Sequence, residues 1–169
     1  MNTKKTLTLQ IRRPNFEYIL TGEQKTEHRD IYPSNADRYI IQTEQPDGSV
    51  FIECVHYDAL RLINGRRKDA PTLWVEVKSA EWIYFTDKDG EPMMYEEKGV
   101  KYLVAQVWYH LGDVLKTENV GEDFEFKYAG VTPYDFGLDD RPVDEIGQEE
   151  AESQGQVLNP DDKPGKGTE

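Results

Sequence analysis

Apolar and polar positions alternate in short runs along the first two thirds of the chain. Leu7, Leu9 and Ile11 alternate with Thr6, Thr8 and Gln10, which predicts a half-buried strand. Phe16, Ile19 and Leu20 then fall at helical spacing. Pro14 or Asn15 suits the start of that helix and Gly22 the position just past its end. Asp47-Gly48 separates the runs Tyr39–Thr43 and Val50–Val55, the strongest short hairpin signal. Asp89-Gly90 separates Trp82–Phe85 from a weaker partner at Met93–Tyr95. β-Branched and aromatic residues make Leu73–Lys78 a strand. Tyr102–Tyr109 is apolar on both faces and reads as a central strand, and Tyr57–Ile63 as a strand ending at Asn64-Gly65. Ser34–Arg38 suits one helical turn. The pattern predicts a strand-rich α+β fold, a compact mixed or closed sheet with one or two short helices. Its expected core is Leu9, Ile11, Phe16, Ile19, Leu20, Ile52, Val75, Val77, Leu103, Ala105 and Val107.

Composition divides the chain. Its 169 residues fit a single core plus an extension. Residues 1–78 hold twelve Lys/Arg against eleven Asp/Glu, whereas residues 79–169 hold eight against twenty-two, so the net charge of −13 arises in the second half. Such acidity disfavours non-specific nucleic-acid binding by the chain as a whole. The balanced half nevertheless contains a basic cluster, Arg66-Arg67-Lys68. We divide the chain into a domain at 1–117, an aromatic extension at 118–138 and an acidic tail at 139–169. Phe124, Phe126, Tyr128, Tyr134 and Phe136 give the extension apolar surface to dock on the domain. The tail has no aromatics and reads as disordered, a solubilising segment or one that binds a protein partner.

The single Cys54 excludes an internal disulfide framework and, in an apolar run, reads as a core residue. With no run long enough to cross a bilayer and no signal-peptide core, the expected setting is cytoplasmic, with no membrane partner. His28, His56 and His110 lack ligand spacing, so no metal is expected, and no cofactor-binding motif occurs.

One stretch concentrates charge at a structural boundary. In Gly22-Glu23-Gln24-Lys25-Thr26-Glu27-His28-Arg29, strand periodicity places Lys25, Glu27 and Arg29 on one face. A cation, an acid and a cation are costly to bury unless paired or met by a ligand; a solvated face is the plainer reading. The order strand, short helix, glycine, charged strand resembles the ASCH domain family of the PUA-like superfamily, with its motif G-x-K-x-x-E-x-R. Gly22, Glu27 and Arg29 match in register, Asp30 follows as in the family, and Gln24 stands where the family has lysine, with Lys25 one residue on. The resemblance covers roughly residues 4–116. It implies a PUA-like pseudo-barrel and a cleft beside the motif that receives RNA or a modified nucleoside.

Two functions follow. In the first, the chain binds RNA or a nucleotide-like ligand. That requires cations for phosphate, an aromatic platform and groups for base edges. Arg12, Lys25, Arg29, Arg66, Arg67 and Lys68 supply cations, and Gln24 and Glu27 supply polar groups. Tyr32, Tyr39 and Trp74 are candidate platforms, though aromatics more often fill cores. In the second, the resemblance implies an amidohydrolase acting on an N4-acylated cytidine, with Lys25 and Glu27 as catalytic groups. Gln24 cannot take a proton, and a one-residue shift turns a strand side chain to the other face, so this reading ranks second. An acidic-tailed interaction scaffold is a third reading.

Overall fold

The computed structural model describes residues 4–128. In chain order the elements are β1 (Thr6–Gln10), α1 (Arg13–Thr21), β2 (Thr26–Ile31), α2 (Ala36–Tyr39), β3 (Ile40–Glu44), β4 (Val50–Cys54), β5 (Ala59–Ile63), β6 (Thr72–Tyr84), β7 (Met94–Glu97), β8 (Val100–Leu103) and β9 (Ala105–Glu118). The fold is strand-rich α+β. Its main sheet is open, with order β1-β5-β6-β9-β2, and two two-stranded sheets join β3 to β4 and β7 to β8. Among the described residues no closed barrel forms. The chain divides into two compact units. β6 and β9 are long enough to contribute residues to both.

Of the described residues, the first unit contains those up to Glu27, His56–Ala80 and those from Tyr109 to Tyr128. β1 runs parallel to β5, and β5 antiparallel to β6. Their registers align Leu7, Leu60 and Val75 in one row and Leu9, Leu62 and Leu73 in the next. All six are buried. Because side chains alternate, the intervening row of Thr8, Arg61 and Trp74 lies on the opposite face. α1 takes Pro14 in its first turn and ends at Gly22, whose φ of 86° is the left-handed conformation that glycine adopts without strain. Phe16, Tyr18 and Ile19 bury its inner face.

α1 also buries an acid. Glu17 is 1 % exposed and accepts from Arg13 Nε at 2.6 Å. Its carboxylate further accepts from the backbone N–H groups of Lys127, at 3.0 Å, and Tyr128, at 2.9 Å. Phe124 packs on Phe16 at 6.1 Å and lies under the Arg13 guanidinium at 4.4 Å, and Arg13 Nη2 donates to the Glu125 carbonyl. The segment after β9 is thus held on α1 by one carboxylate and one arginine. The remaining aromatic positions, Tyr134 and Phe136, and the acidic tail lie outside the described residues.

The second unit contains His28–Val55 and Glu81–Trp108. β3 and β4 form the hairpin expected around Asp47-Gly48. Asp47 Oδ1 accepts from Ser49 N–H and Oγ, and Gly48 N–H bonds to the Gln45 carbonyl. At the second turn, Asp87 accepts from the N–H groups of Asp89 and Glu91. The expected strand beyond that turn begins at Met94 and pairs with β8 through Lys98-Gly99, a turn with positive φ at both residues.

Three expectations are corrected. The run Tyr102–Tyr109 is two strands: Val104 interrupts it, donating to the Met93 carbonyl and accepting from Phe85 N–H. Leu20, Ile52, Val77 and Leu103 are half-buried rather than core. Ile52 lies on a two-stranded ladder opposite Gln42, where neither face is wholly covered. The helical turn expected at Ser34–Arg38 forms slightly later, with Tyr39 in it.

Burial raises the Glu17 pKa, but the Arg13 hydrogen bond and the Tyr128 and Lys127 N–H groups outweigh it, leaving the carboxyl below its ordinary value of 4.5. Glu17 therefore contributes its full stability above pH 4.5 and loses it as the pH falls through its folded-state value. Glu17→Gln should lower the unfolding free energy at pH 7 by about 1–3 kcal/mol, the worth of hydrogen bonds to a charged group. The gap to the parent protein should be smaller at an acidic pH below the folded-state value than at pH 7, because the protonated carboxyl no longer differs in charge from the amide. Urea titrations at the two pH values measure both quantities; equal stability at pH 7 would show that the carboxylate is not the clasp.

Candidate functional site

The charged octet is built by the end of α1. Gly22 N–H closes on the Ile19 carbonyl and Gln24 N–H on that of Tyr18, turning the chain into β2. The Gln24 side chain fixes this turn. Its Oε1 accepts from Asn15 Nδ2 at 3.0 Å, and its Nε2 donates to the Thr26 carbonyl at 2.8 Å and towards Glu27 Oε1 at 3.4 Å. The amide thus accepts at one end and donates at the other, which an ammonium group cannot do. Lys25 is exposed, and its carbonyl accepts from Leu111 N–H. In β2, Glu27 and Ile31 are buried and Arg29 between them is half-buried. Glu27 is therefore not a solvated carboxylate.

The other sequence candidates fall in different places. Gln24 and Glu27 are in contact, and both belong to the first unit. Arg12 is exposed at the start of α1. Arg66, Arg67 and Lys68 are exposed on the loop between β5 and β6, where Arg67 Nε lies 3.7 Å from Asp69. Arg29 and Tyr39 belong to the second unit. Tyr39 is 3 % exposed, so it offers no face to a ligand.

A second set of residues went unrecognised in the sequence. Within the second unit, His28 stacks on Trp108 with ring centroids 4.4 Å apart and planes inclined by 20°. Both rings are half-buried. Trp108 Nε1 donates to Gln106 Oε1 at 2.9 Å, and Gln106 Nε2 donates to Asp30 Oδ1 at 2.8 Å. The Asp30 carbonyl accepts from Asn35 Nδ2, and Asn35 Oδ1 accepts from Tyr32 N–H. Tyr32 meets Tyr95 edge-on at 6.2 Å, and Tyr95 packs on Tyr102 at 5.6 Å. Burial first, then the charge of Glu97, Tyr102 and Asp30, pushes the Tyr95 phenol well above its ordinary range, so it stays neutral. The spacing of two in His28/Asp30 and in Gln106/Trp108 places each pair on one strand face. That spacing was the available signal.

The chemistry of this set is stacking and hydrogen bonding. Among the described residues no group of three or more His, Cys, Asp or Glu is placed to hold a metal ion. Cys54 is half-buried, and burial followed by the Glu81 charge raises its thiol pKa, which suits an inert residue. An open groove of about 790 Å³ lies elsewhere, at the β3–β4 turn between Gln45 and Phe51, and contains none of the candidates. No described helix is long and apolar enough to cross a membrane. Compared with known proteins, the chain matches no family model, no curated protein and no solved structure.

Proposed function

We propose that the chain binds a nucleoside or an unpaired RNA base through the His28–Trp108 stack of the second unit. The observation that carries this reading is the stack itself, two half-buried aromatic rings beside an amide and a carboxylate. Base recognition needs those parts: a π-surface and fixed groups for a base edge. Gln106 is buried and its amide is held from both ends, by the Trp108 indole and by Asp30, so it fixes the ring and the carboxylate in place before a ligand arrives. Asp30 is an acceptor, suited to an exocyclic amino group such as that of cytosine or adenine. The octet's resemblance to the ASCH motif supports the same ligand class, since His28 lies within the octet and Asp30 directly follows it.

The amidohydrolase reading is weaker on the first unit's geometry. The motif's lysine position is Gln24, whose amide is engaged by Asn15, Thr26 and Glu27 and offers no base.

Trp108→Leu and His28→Ala should each weaken binding of a short unstructured RNA, or of cytidine, at least tenfold, since one stacked base is worth about 1–3 kcal/mol. Isothermal titration gives the affinity and circular dichroism the melting temperature; parent-like affinity in both variants would remove this site from consideration. The unmodified chain should release no acetate from an N4-acetylated cytidine above the buffer rate. Turnover that co-purifies with the chain and disappears in Lys25→Ala would establish the enzyme instead.

A further inference from the structure

We propose that the outward face of the first unit's sheet, centred on Trp74, is a separate binding surface for single-stranded nucleic acid, gripping phosphates and stacking one base. The inference extends the nucleic-acid reading to a surface made of other residues.

Its origin is the register of β5. Leu60 and Leu62 point into the core, so Arg61 points out, opposite Trp74 on β6 and Thr8 on β1. The Arg61 guanidinium lies 5.4 Å from the centre of the Trp74 ring, and Lys116 Nζ from β9 lies 4.5 Å from it. Each cation–π contact at an exposed site is worth about 0.5–1 kcal/mol. Two like charges drawn to one indole also repel each other, and a phosphate between them relieves that repulsion. Lys116 already touches Glu118 at 3.3 Å, at exposures of 59 % and 49 %. So exposed a pair is worth little and exchanges readily with a phosphate.

The second observation is the loop that joins the same two strands. Arg66, Arg67 and Lys68 project from it into solvent. Its base is pinned: Asn64 N–H bonds to the Pro71 carbonyl, Ala70 N–H to that of Arg67, and Asn119 Nδ2 to that of Ala70. Ala70 is buried. Three cations thus stand on a fixed support at one end of β5, and Arg61 stands along the strand from them. Glu76, the acid one row from Trp74, is laid over Gly112, where a Cβ would overlap its carboxylate. A planar ring with cations over it, which a phosphate can draw aside to admit a base, has the parts of a sequence-tolerant single-strand site.

The surface is tested with the full chain by fluorescence anisotropy, using a labelled twelve-nucleotide oligouridylate titrated across NaCl concentrations. Five neutralised phosphates, one for each of these cations, correspond to a slope of log K against log salt of about −3.5. Arg61→Gln with Lys116→Gln should weaken binding at least tenfold and flatten the slope by about 1.4, the share of two phosphates. Arg66→Gln, Arg67→Gln and Lys68→Gln together should flatten it by about 2. Trp74→Phe, which keeps a ring, should bind nearly as the parent does, and Trp74→Leu should bind more weakly with an unchanged slope. Cytidine, which has no phosphate for these cations to grip, reads the His28–Trp108 site in the charge variants, and its affinity should be the same in both of them. Parent-like oligonucleotide affinity and slope in both charge variants would overturn the proposal. So would equal binding of a polyglutamate peptide of the same charge, which would assign the face to an acidic protein partner.

Discussion

β5 sits between two strands, and the rest of the first unit depends on how that constraint is met. A strand paired on both edges cannot slip by one residue without exchanging its faces. With Leu60 and Leu62 buried against Leu7, Leu9, Leu73 and Val75, the register with β1 and β6 is fixed. Truncating such a leucine to alanine typically costs about 2–5 kcal/mol. The same register leaves Arg61 and Trp74 no choice but the outer face. Core and surface are thus two consequences of one alternation.

The elements that local chemistry determines were legible in the sequence. Pro14 and Gly22 bracket α1, and Asp47-Gly48 makes the β3–β4 hairpin because the aspartate side chain satisfies the turn's own donors. Features set by partners distant in sequence were not legible. The apolar run from Tyr102 gives no sign that Val104 bonds to both Met93 and Phe85 and so divides it. Nor does it show that Ile52 falls on a ladder too narrow to cover it. The main sheet is open where the resemblance implied a pseudo-barrel.

The candidate site was legible in location more than in composition. Attention to charge favoured Lys25, Glu27 and Arg29, yet in β2 the intervening His28 and Asp30 make the aromatic and amide contacts of the second unit. Trp108 and Gln106 belong to another strand, and no local pattern announces that pairing. Gln24 looked like a lost lysine. In the structure it is the hydrogen-bonded hinge of the turn into β2, a role that needs both an acceptor and a donor. Acidity behaves similarly: of the chain's many carboxylates, Glu17 is buried and clasps the backbone of residues 127 and 128 to α1. Net charge alone is therefore a poor guide to which surfaces can meet a phosphate.

The three tryptophans supply a direct readout of the account. Each indole N–H gives its own resonance in a proton–nitrogen correlation spectrum of the labelled chain, and Trp74, Trp82 and Trp108 stand in different settings. Titration with a short unstructured RNA should shift the Trp108 indole resonance, whose proton is donated to Gln106, and that of Trp74, while Trp82, tilted against Tyr84, stays in place. An unmoved Trp108 resonance at saturating RNA would contradict the central claim that the His28–Trp108 stack is where the ligand binds.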